Sequence, residues 1–365
     1  IFISALQLFF IYKSDYSLNY IINTSIIIIM WVLMLVCSII VARLIQVLSK
    51  VEIDSVLKWF FKLNMIIIFV QYLSISIKQQ SIIPFFSYMG AGDFLKGIFT
   101  NSSVNMIVLS FYLIYFIYKK NMKFTIFSIL GIVFTTYMSG IVLLLGTSLL
   151  FAFFYLSFKN KMKILIGTFI GIILFSIISP GNVNYVKSNL TKKLFAKSDQ
   201  ARKIVSFEQT IDYATSSTSN FLIGAGGGKF SSRTAFMTAG DYVNWFPQNY
   251  VYRSEAFSKN HFTLWNSKIL SRPYKDGTAN QPFSFYNKII GEYGLIGVLL
   301  FICFYLYYPI KYYKKLTYGK MIVLLMLSFF LLDYWFEYFT VIIFFELFIY
   351  LNISNIKANE IPKHQ

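Results

Sequence analysis

Residues 20–42 pass without a single charged side chain, a stretch long enough to cross the hydrocarbon core of a bilayer as one α-helix, which takes about 20 apolar residues. Further apolar runs, some carrying an ionisable residue, fall at 62–77, 101–118, 124–137, 141–158, 164–179, 285–310, 321–335 and 339–353. A further run at 1–12 is too short to span and reads as the remainder of a cut span, so the spans counted are a minimum; a secretory signal is neither found nor excluded. Only 13% of the residues are charged and 57% are hydrophobic, which argues against a water-soluble fold, where roughly 25% are charged. The expected fold is therefore an all-α integral membrane protein, with about ten transmembrane helices in this chain and one long extracytoplasmic loop near its C-terminal third. The runs 124–137 and 339–353 are short for a full span, and a tight helical hairpin or a half-buried turn stays open there.

Orientation follows from the connections, because short cytoplasmic loops collect Lys and Arg. Lys119, Lys120 and Lys123 mark one inner loop, Lys159, Lys161 and Lys163 a second, and Lys311, Lys314, Lys315 and Lys320 a third; 43–61, with Arg43, Lys50 and Lys58, is inner as well. Alternation then puts 78–100, the corner at Ser139-Gly140, the loop 180–284 and the corner near Glu337 outside. The expected organisation is transmembrane helices over 1–179, an extracytoplasmic loop over 180–284, further transmembrane helices over 285–353 and a cytoplasmic tail at 354–365. Small residues at the first corner permit close backbone approach, while Asp333 and Glu337 need a polar setting at the second. Cys37 and Cys303 sit inside apolar runs and imply neither a disulfide nor a thiolate metal site. The net charge of +18 reflects basic residues flanking spans, so no nucleic-acid partner is expected.

Between Pro180 and Phe283 the loop holds thirteen Lys or Arg against six Asp or Glu. Long loops are exempt from the positive-inside rule, so this excess has another cause: an anionic ligand outside the membrane, or a solvated basic surface beside anionic headgroups. From Ala201 the apolar residues Ile204, Phe207 and Ile211 give an amphipathic helix that could lie on the membrane. Its basic start, Lys197, Arg202 and Lys203, suits either a diphosphate at the bilayer surface or snorkelling to lipid phosphates. The stretch Ile223-Gly224-Ala225-Gly226-Gly227-Gly228-Lys229-Phe230 ends in lysine but lacks the Ser or Thr that a P-loop requires next. Gly224, Gly226 and their neighbours let backbone pack tightly, or present bare N–H groups to an anion.

From Asp241 to Tyr274 aromatic residues, among them Tyr242, Trp245, Tyr250, Phe262 and Trp265, alternate with Asn244, Gln248, Asn249 and Asn260. Aromatic faces beside amides suit sugar rings, and an interfacial aromatic belt has the same composition. His261 is a candidate base, or a structural histidine. No histidine pair at metal spacing, cysteine cluster or nucleotide fingerprint is present, so neither a metal nor a cofactor is expected and the chemistry falls to carboxylates, arginines and His261.

The run Phe285-Tyr286-Asn287-Lys288-Ile289-Ile290-Gly291-Glu292-Tyr293-Gly294-Leu295-Ile296-Gly297 enters an apolar span directly. It resembles the O-antigen polymerase and O-antigen ligase superfamily, whose last long outer loop closes with a Glu-x-Gly-Leu-x-Gly helix start. Arg202, followed some way on by Gly224-Ala225-Gly226, is similar to that family's upstream arginine and glycine elements. At the place of the His-Asn pair of the ligase branch this chain has Phe283-Ser284, and Ser139-Gly140 lacks the arginine often found at the earlier corner.

The resemblance implies a metal-independent glycosyltransferase of the bacterial cytoplasmic (inner) membrane with a periplasmic loop. Its substrate would be undecaprenyl-diphosphate-linked oligosaccharide, polymerised into O-antigen or capsular polysaccharide, with membrane lipid, a chain-length regulator and a flippase of the same pathway as partners. Arg202, the one family match among the arginines, would bind the diphosphate with help from Lys203, Arg233, Arg253 or Arg272, and a base drawn from His261, Glu255 and Asp241 would take the acceptor proton. Trp245, Gly224 and Gly226 would contact substrate, and Glu292 would orient an arginine or serve as a helix-start acid favoured by the macrodipole. The alternatives are an O-antigen ligase and a lipid-linked oligosaccharide flippase or other transporter; transporters place ionisable groups within their spans.

Overall fold

Long apolar runs can satisfy their backbone in lipid as helices, and helices are what the described residues form. The computed structural model describes residues 17–87, 93–188, 201–265 and 281–360, and no strand occurs among them. The run at 1–12 lies outside the described residues, as do Lys197 and Arg272. We number the principal helices α1 (Leu18–Val47), α2 (Lys50–Lys78), α3 (Ser102–Tyr118), α4 (Met122–Phe134), α5 (Met138–Tyr155), α6 (Phe158–Ile178), α7 (Pro180–Ser188), α8 (Arg202–Thr215), α9 (Thr218–Ile223), α10 (Arg233–Thr238), α11 (Glu255–Lys259), α12 (His261–Leu264), α13 (Phe285–Leu300, continued by a π-helical turn at Phe301–Tyr305), α14 (Gly319–Phe329) and α15 (Phe339–Glu360).

Among the described residues six helices are long and apolar enough to cross a membrane: α1, α2, α5, α6, α13 with its π turn, and α15. The apolar helices α3, α4 and α14 are shorter. Large apolar side chains stand exposed along the long helices, Ile166, Phe169 and Ile173 on α6 among them, a surface that hydrocarbon rather than water suits. Where the sequence predicts a connection over 43–61, the structure has α2 starting at Lys50. Ser49 and Glu52 form a capping box there, with each side chain taking the other's backbone N–H, so the helix begins in polar sequence well ahead of its apolar run.

The chain divides into two units. One comprises 40–192, 312–329 and 340–365, and in it α3 is buried along most of its length. Phe61 of α2 meets Tyr112, Phe116 and Phe124 at 4.9–5.5 Å between ring centres, and Tyr112 meets Phe348 of α15 at 5.2 Å. Inside this apolar packing Asn64 donates to Asn105 Oδ1 (2.9 Å) and accepts from the Ile98 backbone N–H (3.1 Å), so the polar groups are satisfied internally. Gly140 faces the Met106 sulfur of α3, where a Cβ would lie 2.8 Å away.

The other unit comprises 1–39, 193–311 and 330–339 and contains the candidate site. Here α8 and α9 pack on α13, with α8 also against α12. The expected helix from Ala201 is present as α8, but the face it buries is a different one: Ser206, Thr210 and Ala214 are buried and Ile211 is exposed. Small side chains allow the close approach, and their hydroxyls are satisfied on the spot; Thr210 donates to the Ser206 carbonyl (2.7 Å) and Ser206 to that of Lys203 (2.7 Å). Asn287 of α13 closes the contact by donating to Ser206 Oγ (2.9 Å).

Candidate functional site

The glycine-rich stretch and the start of α13 are one structure. The Ala225 N–H donates to the Gly291 carbonyl (2.8 Å) and the Gly226 N–H to that of Glu292 (3.0 Å). The fully buried carboxylate of Glu292 accepts from the N–H of Gly228 (2.8 Å) at Oε2, and from those of Phe230 (3.0 Å), Ser231 (3.0 Å) and Ser232 (2.8 Å) at Oε1. The backbone N–H groups that could have cradled an external anion are thus turned onto a carboxylate of the chain itself. Lys229 also points inward, its ammonium donating to Thr24 Oγ1 (2.9 Å) and lying 4.3 Å from the Tyr20 ring centre.

The next N–H in this series, that of Arg233 at the start of α10, donates to Glu337 Oε2 (3.0 Å). Glu337 Oε1 pairs with Lys288 Nζ at 2.7 Å, and both side chains are almost wholly buried. Lys288 lies one helical turn before Glu292 on α13, so this helix start holds the segment 228–233 directly through Glu292 and by way of Glu337 through Lys288.

Around this segment sits an aromatic cluster, with Phe236, Phe257, Trp265, Phe283 and Tyr334 buried and Tyr242, Phe262 and Tyr338 packed against them. Three guanidinium groups stack on its rings. Arg202 lies 5.9 Å from the Trp265 ring centre, Arg233 4.9 Å from that of Tyr338 and Arg253 4.3 Å from that of Phe262. Arg202 donates to the Leu264 carbonyl (3.0 Å). Arg253 donates to the Ala239 carbonyl (2.8 Å) and pairs with Asp241 at 3.5 Å. Arg233 differs, because its buried Nε–H has no hydrogen-bond partner among the described residues. An unpaired buried donor is an exception in folded proteins and calls for an acceptor that the described residues do not supply.

The remaining candidates are placed as follows. Lys203 turns inward and donates to the carbonyls of Phe283 and Leu332. Burial holds its ammonium below the usual lysine range, against the pull of Asp333. His261 is fully enclosed: Nε2 faces the Ser206 carbonyl (3.0 Å), Nδ1 faces Ser231 Oγ (2.8 Å) and the ring lies 4.7 Å from that of Phe230. Burial pushes its pKa down to about 4, which leaves a neutral imidazole with the proton on Nε2 and Nδ1 accepting from Ser231. Glu255 is exposed and paired with Lys259. Trp245 is 69% exposed.

Sequence reasoning did not select Lys288 for the site, and treated Glu337 only as a corner acid. Their signal was present in two ionisable residues within otherwise apolar stretches, which in a bilayer must find partners. No protein-family model, curated protein or solved structure matches this chain.

Proposed function

We propose that this chain is a polysaccharide polymerase of a bacterial cytoplasmic membrane. It would cross the bilayer about ten times and join undecaprenyl-diphosphate-linked oligosaccharide repeat units on the outer side. The observation that carries this reading is the stacking of Arg202, Arg233 and Arg253 on rings of one aromatic cluster, with Arg233 keeping a buried donor unpaired. Guanidinium forks match phosphate oxygens, and stacking on aromatic faces fixes their planes, so such a rim can stabilise a departing diphosphate. Arg233 takes first place in this role; Arg202 and Arg253 already donate to carbonyls.

In the reaction, a sugar hydroxyl of the acceptor unit attacks the anomeric carbon of the donor. The glycosidic bond forms as the bond from that carbon to the diphosphate oxygen breaks, and its electron pair leaves with undecaprenyl diphosphate. The hydroxyl proton passes to a carboxylate. Asp241 suits that task best of the three candidate bases, because His261 is enclosed and Glu255 faces solvent, whereas Asp241 adjoins Arg253 on the rim.

Against the ligase alternative, Phe283 fills the aromatic cluster and Ser284 caps α13, so the position of the ligase His-Asn pair supplies no proton acceptor. The transporter alternative draws on Glu346, buried within α15. A gel of surface polysaccharide and lipid-linked intermediates from cells lacking the gene tests these readings. Single repeat units that accumulate with loss of the ladder are expected. Long lipid-linked chains without their final acceptor would instead indicate a ligase, and repeat units trapped on the cytoplasmic leaflet a transporter.

A further inference from the structure

Arg233 is gripped at both ends by two adjacent residues. Glu337 accepts its backbone N–H at 3.0 Å, and the ring of Tyr338 underlies its guanidinium at 4.9 Å. The turn that presents these two residues is itself pinned by the Lys288 to Glu337 ion pair, 2% and 3% exposed, with the Lys288 ammonium 4.4 Å from the Trp31 ring centre. Removing two charges from water is costly, and an apolar pair of the same volume is often as stable or more so, so stability alone is a weak reason for such a pair. What it provides here is direction: it fixes the carboxylate that receives the Arg233 N–H, and thereby the start of α10 that carries the unpaired, buried Nε–H.

We infer that Glu337, held by Lys288 and acting together with Tyr338, is the positioning residue for Arg233 in binding a lipid diphosphate. The inference rests on the diphosphate-binding role proposed for Arg233. Glu337 would not touch the ligand; its effect would pass entirely through Arg233.

The test is a double-mutant cycle on the purified full-length chain in detergent, with geranylgeranyl diphosphate as the probe and native mass spectrometry as the readout. Arg233→Ala is expected to weaken probe binding about tenfold or more, the loss of a charge-assisted hydrogen bond. Glu337→Gln is expected to weaken it several-fold, and to add nothing further when Arg233 is already alanine. Because Glu337→Gln leaves Lys288 unpaired and can unfold the chain, two further variants are measured. The pair Lys288→Met with Glu337→Gln removes both charges, and Tyr338→Leu removes the stacking ring alone. Each should reproduce the loss in the presence of Arg233 and have no effect in its absence.

Full additivity of Glu337→Gln, or of these stand-ins, with Arg233→Ala would overturn the positioning role. So would unchanged affinity in a variant that melts like the parent. If Arg233→Ala itself leaves probe binding unchanged, the diphosphate role of Arg233 fails first and the inference falls with it, an outcome separable from additivity.

Discussion

Gly224 and Gly294 sit reciprocally on each other's chain segments. A Cβ on Gly224 would lie 2.5 Å from the carbonyl carbon of Glu292, and one on Gly294 would lie 2.5 Å from that of Leu222. Both adopt positive φ with ψ near −160° (69°, −167° and 58°, −159°), a region essentially open to glycine alone. The same crossing brings the stretch 225–232 within reach of Glu292 and breaks α13 at Gly294, so the glycines of the two motifs serve one contact.

Replacing either glycine by alanine is therefore expected to destabilise the protein by about 3 kcal/mol or more, from backbone strain plus a clash with main chain that cannot rotate away. Thermal unfolding in detergent measures it. Gly167→Ala in α6, where a Cβ meets nothing within 4 Å, is the matched control and should melt at or slightly above the parent temperature.

Glu292→Ala leaves four backbone N–H groups without their acceptor and should cost about 3 kcal/mol or more. Glu292→Gln keeps one acceptor oxygen and is expected to fall between. A variant that melts normally after Glu292→Ala would contradict the structural role assigned to this carboxylate.

His261 gives a pH dependence with a definite sign. Its folded pKa, about 4, lies below the roughly 6.5 of an exposed histidine, so the unfolded chain binds the extra proton between these values. The contribution to stability is complete above about pH 6.5 and is lost as pH falls toward 4, by about 3 kcal/mol over the whole interval. Melting curves between pH 5 and 6.5 should show a rise of stability with pH that His261→Gln reduces.

On the proposed mechanism, alanine at Arg202, Arg233 or Arg253 shortens or removes the polysaccharide ladder in complemented cells, Arg233 most severely. Asp241→Asn does the same without loss of inserted protein. Glu255→Ala, at an exposed residue paired only along its own helix, leaves the ladder unchanged. A full-length ladder from an Arg233→Ala protein that accumulates normally would exclude its role.

Much of the helical framework was legible because membrane helices announce themselves locally: 20–42 became Leu18–Val47 and 164–179 became Phe158–Ile178. The start of α2 was not, since its first turns are polar and are fixed by a capping box rather than by an apolar run. For α8 the helix was legible but its buried face was not: periodicity selects Ile204, Phe207 and Ile211, whereas close packing against His261 and Asn287 selects Ser206 and Thr210. The glycine stretch and Glu292 were named separately from their motifs; that the second fills the first depends on a contact across some sixty residues of chain, which no local pattern encodes. Lys288 and Glu337 were missed as a pair for the same reason.

The most direct measurement of the central claim is reconstitution: the purified full-length protein in liposomes, supplied with undecaprenyl-diphosphate-linked repeat units and no nucleotide sugar. The account predicts lipid-linked oligomers of increasing length, with one undecaprenyl diphosphate released for each unit joined, and loss of both products in Arg233→Ala. Repeat units that remain single in the presence of folded protein, or that cross the bilayer without being joined, would contradict it.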